Sequence, residues 1–194
     1  MIACLLILIL LGVVVIAGCK TSRAAYGSAP YLVVRAAGKF EVRDYPPLVV
    51  VETPMQGGGS GMHGSFTRLF KFITGGNESK AKIAMTTPVF MTGNESNATM
   101  AFVMPAKFPV EKVPKPADSR VKVRELAAGR FAVMRFSGGR NANNEKQSLD
   151  QLKQWITSER MPELSPPVYG YFDPPWTPPF LRRNEVMLRT GPAQ

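Results

Sequence analysis

Thiols and imidazoles are nearly absent from this chain of 194 residues, which has two cysteines and one histidine. Cys4 and Cys19 both fall at the N-terminal end. The folded body therefore has no thiol for a disulfide, a structural zinc or thiol catalysis. His63 alone supplies neither a His-rich metal site nor a two-histidine proton relay. Acidic residues are also few, 14 against 24 Lys and Arg, for a formal net charge of +10. They are spread without a recognisable catalytic motif, and no G-x-S-x-G surrounds a serine, so the chain reads as a binding protein rather than an enzyme. The basic residues run from Lys20 to Arg189 without gathering on one helix or tail. No nucleic-acid partner is expected; the same charge suits anionic membrane surfaces and carboxylate ligands.

What the N-terminus does have is an apolar run, Ile2 to Ile16, closed by Ile16-Ala17-Gly18-Cys19. Small residues directly before a cysteine resemble the lipobox of a bacterial lipoprotein. That resemblance implies a signal peptide over 1–18, cleavage before Cys19, and a diacylglycerol thioether on its sulfur with an acylated amine. The protein would be tethered to a membrane rather than spanning it. Lys20, where retention at the inner membrane would call for Asp, points to the outer membrane facing the periplasm. The alternative is an uncleaved anchor: no Lys or Arg precedes the run, and about 17 apolar residues is the lower limit for a spanning helix. Residues 19–30, with "KTSRAAYGSAP" small and polar, read as a flexible tether, and 31–194 as one globular domain. "NES" at Asn77 and Asn94 and "NAT" at Asn97 fit polar turns.

The body shows a repeat. "GKFEVRDYPPLVVVE" from Gly38 and "GRFAVMRFSGG" from Gly129 both alternate as half-buried strands do, Phe40 and Val42 against Phe131 and Val133, an offset of 129 − 38 = 91 residues. A helix-period stretch follows each. Phe66, Leu69, Phe70 and Ile73 form the first stripe, ended by Gly75-Gly76; Leu149, Leu152, Trp155 and Ile156 form the second, stopped by Pro162. Two strands then follow in each half, Ile83 to Met91 and Thr99 to Met104, then Val168 to Phe172 and Glu185 to Arg189. Gly75, Gly76 and Asn77 suit positive φ at a helix end, and Pro88 marks a bend or edge. Met85 and Met91 share a face with Thr87; adaptable core filling and a soft ligand lining both explain them. The expected fold is α+β: two pseudo-symmetric β-α-β-β repeats forming a distorted barrel-like sheet flanked by two helices, with a ligand groove where the halves meet.

"FEVRDYPP", "GGNES" with "KIAMTTPV", "FVMP", "VKVRELAAGRFAVMRFSG" and "YGYFDPPWTPPFLRRNEVML" stand in one order over Tyr31 to Arg189. Together they resemble the SOUL haem-binding family. The resemblance implies a twofold-repeated fold shared with effector-binding domains of bacterial regulators, and binding of haem or a related tetrapyrrole. A flat apolar macrocycle with two propionates needs an apolar wall, a cover and cations. Phe66, Leu69 and Phe70, flanked by Arg68 and Lys71, offer the wall; Trp176 and Phe180 in "DPPWTPPFLRR" the cover; Arg182 and Arg183 the propionate partners. Ordinary core packing or a solvated loop end explains each as well. His63, one turn ahead of Phe66, is the candidate axial ligand to iron, with Tyr45 and Met62 weaker ones. Some family members carry a histidine where this chain has Asp44, a poor haem ligand. The rival reading is an effector-type module that holds a bulky hydrophobic or cationic molecule against a buried carboxylate, or a hydrolase on the same fold, with Glu185 the candidate catalytic acid of the hydrolase. The biological role, as carrier, buffer or sensor, stays open.

Overall fold

The computed structural model describes residues 26–55, 59–93, 97–106 and 108–193; for 59–63 it describes the backbone alone. In chain order the strands are β1 (Gly27–Ser28), β2 (Leu32–Ala37), β3 (Phe40–Tyr45), β4 (Leu48–Pro54), β5 (Thr86–Thr87), β6 (Val89–Thr92), β7 (Thr99–Val103), β8 (Lys122–Leu126), β9 (Gly129–Phe136), β10 (Val168–Tyr171) and β11 (Asn184–Gly191). Helix α1 spans Gly59–Ile73 and α2 spans Ala142–Ser158. Nine strands form one open antiparallel sheet in the order β2-β3-β9-β11-β10-β6-β7-β4-β8, and β1 pairs separately with β5. The expected class, α+β with a distorted barrel-like sheet flanked by two helices, is what the chain forms. No helix among the described residues is long and apolar enough to cross a membrane.

The sheet reads the same outward from its β10–β6 centre. One side runs β10, β11, β9, β3 and the other β6, β7, β4, β8. Each half is strand, strand, helix, strand, strand: β3-β4-α1-β6-β7 and β8-β9-α2-β10-β11. The first strand of each half crosses to the other half, β3 onto β9 and β8 onto β4. This changes the expected register of the repeat. Phe40 and Phe131 lie on hydrogen-bonded neighbours, with Phe40 opposite Met134 and Arg43 opposite Phe131. The topological counterpart of β9 is β4, an offset of 129 − 48 = 81 residues. The physical reason is Pro46-Pro47, which cannot donate to a ladder and splits "FEVRDYPPLVVVE" into two strands. The body also begins earlier than expected: β1 lies inside the stretch read as tether, and Ala29 is buried.

Alternation gives the sheet two faces. On the helix face, Leu69, Phe72 and Ile73 of α1 pack with Val51, Met100 and Phe102, while Leu152 and Ile156 of α2 pack with Ala132, Met134, Val186 and Leu188. α1 lies over β4 and β7, and α2 over β9 and β11, so the central pair β6 and β10 runs between the helices. On the opposite face Leu48, Val50, Phe90, Ala101, Val133 and Met187 form a third apolar cluster.

The ends of α1 and α2 follow from local chemistry. The Asn141 side chain caps α2 by accepting from the Asn144 backbone N–H at 2.8 Å. At the end of α1 only Gly75 takes positive φ, +115°. Gly76 is needed for space, since a Cβ there would lie 2.7 Å from the Lys71 carbonyl oxygen. Asn77 is buried and works through its side chain, donating to the carbonyls of Phe72 and Ala81 at 2.9 and 2.8 Å and accepting from Ala81 N–H at 3.0 Å. Met91 is buried in the α1 cluster and Met85 packs against it, as core filling expects.

Candidate functional site

On the helix face, the stripe of α1 is wider than the sheet beneath it can cover. Phe66 and Phe70, one turn apart, remain 40% and 47% exposed and stack with ring centroids 5.9 Å apart and planes 13° from parallel. Phe66 also sets its edge against Phe102, 5.3 Å away. From Phe102 the register leads across the sheet to Val89 and then Tyr171, two strand spacings or about 10 Å. Val89 and Tyr171 are half-buried. The Tyr171 hydroxyl donates to the Glu145 carboxylate of α2 at 2.5 Å. Burial, then the charge of Glu145 and that hydrogen bond, push the phenol well above its usual range. Arg140 pairs with Glu145 at 3.2 Å and lies 5.8 Å over the Tyr171 ring. The strip over β6 and β10 is therefore bounded by two phenylalanines on one side and by a Tyr-Glu-Arg group on the other.

The loop that follows Tyr171 carries the two most exposed aromatic rings among the described residues, Trp176 at 79% and Phe180 at 74%. It is nonetheless braced. Arg182 Nε donates to the Thr177 carbonyl at 2.8 Å, Asp173 accepts from Arg183 N–H at 2.6 Å, and the Pro179 carbonyl accepts from Gly138 N–H at 2.9 Å. Apolar rings held in water on a braced loop mark a surface built for contact.

The other face holds a buried ionic cluster at one end and a cavity at the other. Arg43 is fully buried; its guanidinium donates to both Glu185 oxygens at 2.7 and 2.9 Å, to Glu41 at 2.6 Å and to the Tyr45 hydroxyl at 3.0 Å. Arg183 donates to Glu185 at 2.6 Å and to the Tyr31 hydroxyl at 3.2 Å, and Arg135 pairs with Glu41 at 2.6 Å. The Tyr31 ring covers Arg43 at 4.2 Å. Burial pushes the Glu185 carboxyl up, but the hydrogen bonds and charge of Arg43, then of Arg183, outweigh it and hold it below the usual carboxylate range. Burial likewise raises the Tyr45 phenol, to about 12, against the pull of Arg43. Beside this cluster lies a cavity of about 290 Å³ between the two halves, lined by residues of both.

The structure brings Phe66 and Phe70 together and corrects several other expectations. Leu69 is fully buried in the α1 core and offers no surface to a ligand. Lys71 is exposed and borders the 117–121 segment with Arg68 and Phe72, away from the sheet centre. Arg183 belongs to the Glu185 cluster on the opposite face, and Arg182 braces its own loop, so neither is a free propionate partner. His63 lies in α1, and its side chain falls outside the described residues, as does Met62; Cys19 and the apolar run lie outside them too. Asp44 is paired with Arg130 at 2.8 Å, and Tyr45 is held by Arg43. Among the described residues no group of three His, Cys, Asp or Glu could hold a metal ion. Tyr171 and Arg140 were missed. The signal was present in "VYGY", whose alternation puts Val168 and Gly170 on one face and Tyr169 and Tyr171 on the other.

A family model described as SOUL heme-binding protein matches residues 26–189. The chain belongs to the SOUL family. Among curated relatives of this SOUL chain, Heme-binding protein 2 of Homo sapiens is 30% identical over 121 residues, 58% of each chain. Heme-binding protein 2 of Mus musculus is 27% identical over 131 residues, 63% of each. The match thus spans less than two thirds of those relatives' length. Solved structures of like fold include the EcmrR C-terminal domain, TM-score 0.60 at 11% identity, covering 82% of this chain and 96% of that one. A hydrolase from Listeria innocua superposes with TM-score 0.54 at 11% identity, covering 80% and 93%. At such identities the likeness is one of fold.

Proposed function

We propose that this SOUL chain binds haem or a related tetrapyrrole noncovalently on the helix face, over β6 and β10, with no chemistry of its own. The observation that carries this is the exposed, nearly parallel Phe66–Phe70 pair beside a strip of half-buried Val89 and Tyr171. These residues fit a flat apolar macrocycle: rings for its face, a strip about 10 Å wide beneath it, and the Arg140 guanidinium at its α2 flank. Trp176 and Phe180 would cover the outer face. His63 is three residues before Phe66 and seven before Phe70, on the same helical stripe, which keeps it the candidate axial ligand. When bound, haem iron supplies redox and gas-ligand chemistry; the chain binds, orients and shields it.

Within the same proposal, the lipobox-like Cys19 tethers the domain to the bacterial cell envelope, at the outer membrane, as a carrier, buffer or sensor. The cation-binding and hydrolase readings are less supported, because the first needs a buried carboxylate open to ligand and the second a catalytic Glu185, the most deeply buried acid among the described residues. Here that carboxylate already accepts from Arg43 and Arg183.

The test is titration of the full chain with ferric haem and with iron-free protoporphyrin, following the Soret band and tryptophan fluorescence, on wild type, Trp176→Phe and His63→Ala. We expect one-to-one saturable binding of both, with most quenching lost in Trp176→Phe. A haem-specific spectrum lost in His63→Ala assigns the axial ligand. No saturable binding of either compound would overturn the proposal.

A further inference from the structure

The cavity on the opposite face holds about ten times the ~30 Å³ that a water molecule takes in the liquid, room for about ten non-hydrogen atoms. That lies just below the range of about 300–1,000 Å³ usual for sites of drug-sized ligands. The cavity is nevertheless a formed apolar site: Leu48, Val50, Phe90, Ala101, Phe131 and Met187 line it from both halves of the sheet. Four charged side chains also reach it. Arg124 and Glu52 pair with each other at 3.4 Å, and Glu125 lies exposed on the edge strand β8. Arg189 is different, since it stands on the interior strand β11 at the cavity wall.

Arg189 is also seated. It donates to the Ala128 carbonyl and lies 5.8 Å from the centre of the Phe131 ring. Its guanidinium covers Gly129, where a Cβ would come within 2.7 Å of the guanidinium carbon. A missing side chain on β9 therefore makes the space that the cation fills. Among the described residues Arg189 forms no ion pair. A fixed guanidinium with no carboxylate partner among the described residues, at the wall of a small apolar cavity, has the chemistry to recognise a carboxylate on an apolar tail.

We infer that this cavity is a second ligand site, for an apolar monocarboxylate of about ten non-hydrogen atoms whose carboxylate meets Arg189. It is separate from the tetrapyrrole surface and does not rest on that reading.

The probes are octanoate, 1-octanol and octylammonium, titrated calorimetrically into the full chain at constant ionic strength. Octanoate should bind one to one, octanol at least about tenfold more weakly, and octylammonium not at all. Arg189→Met should reduce octanoate to the octanol level, and Arg189→Lys should keep most of the preference. Ala101→Phe, which fills the floor, should abolish binding of both octanoate and octanol. If Arg189→Met does not fold, the three-probe comparison on wild type and on Ala101→Phe still decides the matter. Equal binding of octylammonium, an unaffected Arg189→Met, or no saturable octanoate binding would overturn the inference. Saturating octanoate should leave the haem titration unchanged, and displacement of haem would overturn the claim of a separate site. A chain that takes octanoate and ignores haem would sink only the tetrapyrrole reading.

Discussion

Arg43 carries a full positive charge to a position with no exposed surface, and every strong contact it makes is with a carboxylate, a phenol or an aromatic face. Removing one partner from such a group leaves the others desolvated and unpaired. Arg43→Met is expected to lower unfolding free energy by about 3–5 kcal/mol, read from urea denaturation. The same cluster sets an acid limit. Glu185 has a folded-state pKa below its unfolded value, so its contribution is present above the ordinary carboxylate range, ~4.3, and is lost as pH falls through the lower folded value. Stability measured from pH 6 downward should fall more steeply in wild type than in Glu185→Gln, which starts less stable at neutral pH. Part of this cluster was legible. "EVRDY" and "RRNEV" alternate so that Glu41 and Arg43, and Arg183 and Glu185, each share a face. What sequence alone lacked was that β3 and β11 both flank β9, which is what brings Arg43 onto Glu185.

At the scale of elements, α1 ends through one asparagine rather than through a run of positive-φ residues. Asn77→Ala would take away the side chain that bonds the Phe72 and Ala81 carbonyls and the Ala81 N–H, leaving Phe72 only its longer bond from Gly75 N–H, at a cost of about 1–3 kcal/mol, checked by thermal or urea unfolding. The stripe Phe66, Leu69, Phe70, Ile73 did predict the helix, but not which members are core. Leu69 and Ile73 face the sheet, while Phe66 and Phe70 stand at the flank, a distinction set by how α1 lies over β4 and β7. Replacing both phenylalanines with alanine should lower stability by about 1–3 kcal/mol, because each ring is only partly in water and Phe66 packs on Phe102. It should weaken haem by at least about tenfold, roughly 1.4 kcal/mol.

The whole molecule is two halves that exchange their first strands, and this exchange was the feature hardest to see in the sequence. Alternating Phe-x-Val identifies strands but not their neighbours, so it matches β3 with β9 as symmetry mates although the two are hydrogen-bonded to each other. Helix periods, the strands from Thr99, Val168 and Glu185 and the class of fold need only local pattern, whereas the expected strand Ile83 to Met91 divides at Pro88 into β5, paired with β1, and β6 of the large sheet. Topology also separates two surfaces that sequence had merged into a single groove: a helix face with open aromatic rings, and an opposite face with a small cavity beside buried charge. The central claim is that a tetrapyrrole uses the first and not the second. The measurement that tests it most directly is the haem dissociation constant of wild type beside Phe66→Ala/Phe70→Ala and Ala101→Phe. Haem should bind at least about tenfold more weakly to the aromatic double variant and within about twofold of wild type when the cavity is filled. Unchanged affinity in the first and lost binding in the second would contradict that claim.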